Sequence, residues 1–82
     1  MEDRAWIDFV DGKEPRRLSD GRYEADVQAG DSLHRERHVR REKGRWYWDW
    51  GAEDPGERLL VNSPLEKILR VRRIGDLYPR RR

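Results

Sequence analysis

LHRERHVRREKGRWYWDWG, residues 33–51, decides the fold. It runs from the most polar strand-like stretch of the chain through Lys43-Gly44 into tryptophans at positions 46, 48 and 50. Period-two spacing is that of a β-strand with one buried face. Two such stretches around a Gly read as a hairpin. A one-residue slip exchanges the faces of a strand, so the register of this hairpin determines which side chains form the core and which form a surface.

The preceding turn constrains that register. Gly30-Asp31 suits a two-residue type II′ turn, with Gly at the position that needs φ > 0. It places Asp26 opposite Arg35 and Glu24 opposite Arg37 on one face. On the other face it places Val27 opposite His34, Ala25 opposite Glu36 and Tyr23 opposite His38. A two-residue turn at Lys43-Gly44 would require Lys at positive φ, which its Cβ disfavours. The expected connection is therefore a three-residue loop, Glu42-Lys43-Gly44, closed by the glycine. Arg37 then becomes an ion-pair hub between Glu24 and Asp49, while Trp46, Trp48 and Trp50 share a face with Tyr23, Ala25 and Val27. This register also puts His34, Glu36, His38 and Arg40 among the aromatics and sends Leu33 and Val39 to the charged face. Those two aliphatics are the observation against it.

Outward from the hairpin, Asp11-Gly12, Asp20-Gly21, Pro55-Gly56 and Gly75-Asp76 continue the turn rhythm of an antiparallel β meander. Strands are predicted over 4–10, 22–29, 33–41, 45–50 and 58–62. Ser63-Pro64-Leu65-Glu66 has the form of a capping box with Pro at the first helical position. It predicts a short helix whose Leu65, Ile68 and Leu69 share a face. The fold expected is mainly β, an antiparallel meander of about five strands, SH3-like or a partly open barrel, with one short capped helix near the C-terminus. It forms one small domain over 1–79, followed by a flexible basic tail at 80–82.

Composition sets the function classes. Hydrophobic residues make up 34% of the chain and charged residues 44%, so the core must rest on the four Trp, three Tyr and one Phe. There is no cysteine, which excludes disulfides and thiolate metal sites. No apolar run approaches the roughly 18 residues of a membrane span, and the N-terminus lacks signal-peptide order. A cytoplasmic protein with no membrane partner is expected. His34-x-Glu36-x-His38 could offer two imidazoles to one ion, but with two histidines in all the other ligands would be carboxylates or water. No metal, cofactor or catalytic residue is expected, and neither a nucleophilic triad nor a Gly-rich phosphate loop is present, so the reading is a non-enzyme.

Charge is unevenly spread. Residues 1–31 carry five Lys/Arg and nine Asp/Glu, whereas residues 32–82 carry fourteen and eight. The basic half, with arginines in the aromatic segment, fits nucleic-acid binding by ring stacking and phosphate contacts. The residues expected to form that surface are Tyr23, His34, His38, Arg40, Arg45, Trp46, Trp48 and Trp50, joined by Arg70, Arg72 and Arg73. The alternative is a protein-binding inhibitor or adaptor, for example a phage or mobile-element protein that blocks a host complex, because Trp, Tyr and Arg dominate binding hot spots. Under a third reading the tryptophans are simply core, covered by the capped helix.

Overall fold

The computed structural model describes residues 5–49 and 65–78. Within them, five antiparallel strands form one open sheet: β1 (Ile7–Asp8), β2 (Gly21–Ala29), β3 (Ser32–Glu42), β4 (Arg45–Trp48) and β5 (Glu66–Gly75). The spatial order is β1-β5-β2-β3-β4, so only β2, β3 and β4 form the expected meander. β5 crosses to the far side of β2. The apolar side chains of β2, Tyr23, Ala25 and Val27, suit this central place, and all three are buried.

The helix expected at 65–69 is a strand. Val27 lies opposite Ile68 and Asp26 opposite Arg70, so Leu69 is an extra residue in a β-bulge. The bulge puts Ile68 and Val71, three residues apart, on the same face of the sheet, whereas the expected helix grouped Ile68 with Leu65 and Leu69. A helix would leave one edge of β2 without hydrogen bonds, a loss larger than the gain of a cap. Ser63, Pro64 and the strand expected at 58–62 lie outside the described residues.

A second bulge resets the central hairpin. Next to the Gly30-Asp31 turn the predicted pairing holds, with Ala29 opposite Ser32 and Val27 opposite His34. Gly30 has φ of +60°, as a type II′ turn requires. Beyond Val27, Asp26 faces both Arg35 and Glu36, and the register moves by one: Ala25 lies opposite Arg37, Glu24 opposite His38 and Tyr23 opposite Val39. Glu36 is held at φ of +52° in this bulge, and its amide donates to Asp26 Oδ1 at 2.9 Å. The expected pairs of Glu24 with Arg37, Ala25 with Glu36 and Tyr23 with His38 are thereby replaced, while Asp26 stays near Arg35 but takes the Glu36 amide as well. Val39 joins the aromatic face and is fully buried, whereas Leu33 stays on the charged face and is 43% exposed.

The Lys43-Gly44 turn also differs from expectation. It has two residues, with φ of +53° and +78°, and pairs Glu42 with Arg45. The strain at Lys43, about 1 to 2 kcal/mol for a left-handed L-residue, is offset from outside the hairpin. The Asp20 carboxylate accepts the Lys43 amide at 2.8 Å, the Gly44 amide at 3.4 Å and Arg41 Nη1 at 2.5 Å. Arg41 is buried beside Trp46 and also donates to Glu14 Oε1 at 2.9 Å, an oxygen that takes the Trp46 indole N–H at 2.7 Å. Hydrogen bonding to Glu14 raises the Arg41 guanidinium above its usual range despite the opposing effect of burial. Arg41, rather than the expected Arg37, is the ion-pair hub.

The core lies on one side of the sheet. Tyr23, Ala25, Val27, Val39, Trp46, Trp48, Ile68 and Val71 line it, with Phe9 and Leu18 contributed by the segment that leads into β2. Phe9 and Tyr23 meet Trp46 edge-on, at centroid distances of 5.7 and 5.1 Å. The Tyr23 hydroxyl donates to the Ser19 carbonyl at 2.7 Å, so its polar end is satisfied while the ring is buried. Among the described residues no helix is long and apolar enough to cross a membrane.

This register makes a direct prediction. Val39→Ala should destabilise the fold by about 1.5 to 3 kcal/mol, and Leu33→Ala by less than about 0.5 kcal/mol. Urea denaturation of both variants checks it, and equal losses would contradict the bulge at Glu36.

Candidate partner-binding face

The side of the sheet opposite the core carries arginines stacked on aromatic rings. Alternation sets this out: Glu24 and Asp26 of β2 point away from the core between Tyr23, Ala25 and Val27, and β5 supplies Arg72 and Arg70 directly opposite them. Cross-strand pairs of opposite charge contribute roughly 0.2 to 1 kcal/mol each. Arg70 Nε donates to Asp26 Oδ2 at 2.8 Å. Arg72 donates through Nε to Glu24 Oε1 at 3.1 Å and through Nη2 to the same oxygen.

Both guanidiniums also cover Trp6, just before β1, at 4.1 Å for Arg70 and 4.6 Å for Arg72 from the ring centroid. Across the sheet Arg22 and Arg40 face each other. Arg40 lies 4.7 Å from the Tyr47 ring and donates to Glu42 Oε1 and the Trp48 carbonyl, each at 3.2 Å. Arg22 lies 4.8 Å from the Tyr78 ring and donates to the Asp76 carbonyl at 2.7 Å. Four guanidiniums thus rest on three rings, and each is held in place by a carboxylate or a carbonyl. A planar guanidinium can stack and donate in its own plane at once, which a lysine ammonium cannot reproduce.

Asp26 anchors this face from beneath. Burial favours its neutral form, but the Glu36 amide, Arg70 and the nearby charge of Arg35 outweigh that and hold the carboxyl below its usual range.

The residues expected from sequence divide between the two sides. Tyr23, Trp46 and Trp48 are buried in the core. Trp50 lies outside the described residues. His34 is half-buried on the core side, its ring 6.4 Å from that of Trp48, whereas His38 is exposed and lies opposite Glu24 on the other side. The bulge therefore separates the two histidines that an uninterrupted strand would align.

Arg45 is exposed at the start of β4. Arg73 lies opposite Tyr23 on the core side, its guanidinium 5.7 Å from that ring, and donates to Ser19 Oγ, to the Asp20 carbonyl and to Asp76. Of the expected residues that are described, Arg40, Arg70 and Arg72 come together as the stacked arginines, and His38 lies on the same side of the sheet. Trp6, Arg22, Tyr47 and Tyr78 complete the stacked face. The signal for this group was the alternation of Glu24 and Asp26 against Arg70 and Arg72, which a helical reading of 65–69 conceals.

Comparison of the chain with protein-family models, curated protein sequences and solved structures finds no match.

The anchoring carboxylate gives a pH prediction. A carboxyl whose pKa is lowered by folding contributes stability above the usual carboxylate range, near pH 4, and loses it as pH falls through its lowered folded value. Asp26 behaves in this way, and so do Glu14 and Asp20, whose carboxyls are lowered by hydrogen bonds that outweigh burial. Asp26→Asn should be less stable than the parent at neutral pH, and the gap should narrow on acidification. Urea midpoints measured from about pH 7 to about pH 3 test this; a gap that stays constant would show that Asp26 contributes nothing through its charge.

Proposed function

We propose that this protein is a small, non-enzymatic binding module that docks on another protein through the arginine–aromatic face formed by Arg22, Arg40, Arg70, Arg72, Trp6, Tyr47 and Tyr78. The observation that carries this reading is the internal neutralisation of that face. Arg40, Arg70 and Arg72 each pair with a carboxylate of the same sheet. A polyphosphate would have to displace those carboxylates or sit beside them. Arg22, Arg70, Arg72 and the three rings are half-exposed and fixed, with Arg40 buried behind Tyr47. Such preordered arginines and rings are what protein hot spots use, because little side-chain entropy is left to lose on binding. The burial of Trp46 and Trp48 supports the same choice, since stacking on bases needs open ring faces.

Nucleic-acid binding is the second reading. It is favoured by the exposed Arg35 and Arg37 on β3 and by the excess of basic residues from Lys67 to the C-terminus.

Two measurements separate them. Immobilised protein, and the variants Arg40→Ala, Tyr47→Ala and Arg16→Ala, would be used to capture proteins from a lysate of the source cells. A partner retained by the parent and by Arg16→Ala, but lost at least tenfold with Arg40→Ala and Tyr47→Ala, is the expected result. In parallel, titration with short DNA and RNA should give weak binding. Tight binding of nucleic acid that falls steeply with salt and is lost with Arg72→Ala would replace the protein reading with the nucleic-acid one.

A further inference from the structure

β3 is eleven residues long, and among the described residues β4 pairs with its residues 39–42, with one further bond from the Asp49 amide to the His38 carbonyl at 3.0 Å. Among the described residues no strand pairs with the outer edge of 32–37. The two-residue turn makes Ala29 and Ser32 a hydrogen-bonded pair, so Ser32 and His34 direct their backbone groups toward β2. The amides and carbonyls of Leu33 and Arg35 then point away from the sheet.

A depression of about 670 Å³ adjoins this edge. Ala29 and Trp48 form its apolar wall; His34, Arg37 and His38 bring β3 into it, and Glu66 lies on its β5 side. His34 and His38, from opposite faces of β3, both border the depression. Its carboxylate residues are engaged from within the fold: Asp49 accepts the Tyr78 hydroxyl at 3.1 Å, Glu36 lies 3.9 Å from Arg72, and Glu66 also makes an interaction.

The edge itself is basic. Arg35 and Arg37 are exposed and make no ion pair among the described residues, in contrast to Arg40, Arg41, Arg70, Arg72 and Arg73. Charged side chains and a bulge are also the devices that keep a sheet edge from pairing indiscriminately. Here they make the edge selective: a basic strand is repelled, and an acidic one is attracted.

We propose that the outer edge of β3 at residues 32–37 is a β-augmentation site for an extended acidic segment of a partner protein. The segment adds as a strand through the backbone groups of Leu33 and Arg35 and seats one apolar side chain in the depression against Trp48 and Ala29. The bulge specifies the pattern of that segment. Arg35 acts on Asp26 from the charged face, whereas Arg37 lies opposite Ala25 on the core side. Carboxylates that answer both must point to opposite faces, so the segment carries neighbouring acidic residues rather than alternating ones. This site is separate from the arginine–aromatic face, and either can fail without the other.

The test uses the full chain and an acetylated, amidated peptide of sequence Thr-Val-Glu-Glu-Leu-Thr-Val, with a control in which both Glu are Lys. Two-dimensional NMR and amide exchange are the readouts. Saturable binding of the acidic peptide is expected, with amide exchange of Leu33 and Arg35 slowed at least tenfold and the Lys peptide at least tenfold weaker. The double variant Arg35→Glu/Arg37→Glu alters two exposed side chains, and its fold is checked by its amide spectrum. It should reverse the preference and take the Lys peptide. Absence of binding, binding without protection at Leu33 and Arg35, or an unchanged preference in the double variant would each overturn the proposal.

Discussion

The Asp26 carboxylate is the point on which the sheet turns. It stands at the centre of β2, buried, with one oxygen on the Glu36 amide and the other on Arg70. The first contact lets β3 carry an extra residue at that level, and the extra residue is what moves Val39 into the core. The second ties β5 to β2 on the opposite side. A buried carboxylate without partners would be expensive, but charge-assisted hydrogen bonds on both oxygens make it a structural part. One side chain therefore sets the register of two neighbouring strands in a chain with few aliphatics to do so.

A similar logic works at the other end of the central hairpin. Asp20 and Glu14 come from the irregular segment before β2, and they converge on Arg41, the Lys43-Gly44 turn and the Trp46 indole. The irregular segment is thereby tied over the core, and Phe9 and Leu18 are brought onto the rings. Where a larger protein would use aliphatic volume, this one uses carboxylates that organise arginines and tryptophans. The high charged fraction is largely a property of its architecture.

Much of the sheet was legible. The strands at 22–29, 33–41 and 45–50 lie within two residues of the observed boundaries, and the II′ turn and the first pairs after it follow from Gly30 alone. What misled were two bulges. A bulge is a local exception to period two, and its cause at Glu36 lies ten residues away in Asp26, too far for a pattern within one strand to show. At 65–69 the capping-box pattern and the grouping of Leu65, Ile68 and Leu69 pointed to a helix, and the bulge at Leu69 breaks the period-two alternation that would have shown a strand. Lys43 at positive φ was disfavoured on local grounds, and only Asp20, distant in sequence, reverses that. For the expected surface the structure shows placement alone: Trp46 and Trp48 belong to the core, and the rings on which arginines rest are Trp6, Tyr47 and Tyr78, which no alternation within the 33–51 segment could single out.

The placement of β5 has a consequence for how the chain reaches this state. β2, β3 and β4 are joined by tight turns and can zip together locally, whereas the contact that completes β2, Asp26 with Arg70, spans 44 residues. Closing that loop is entropically slow. Until it closes, the apolar central strand has an open side. On a ribosome, β2 is synthesised long before its second neighbour leaves the exit tunnel, so the nascent protein passes through an interval in which its most buried strand is its most exposed edge.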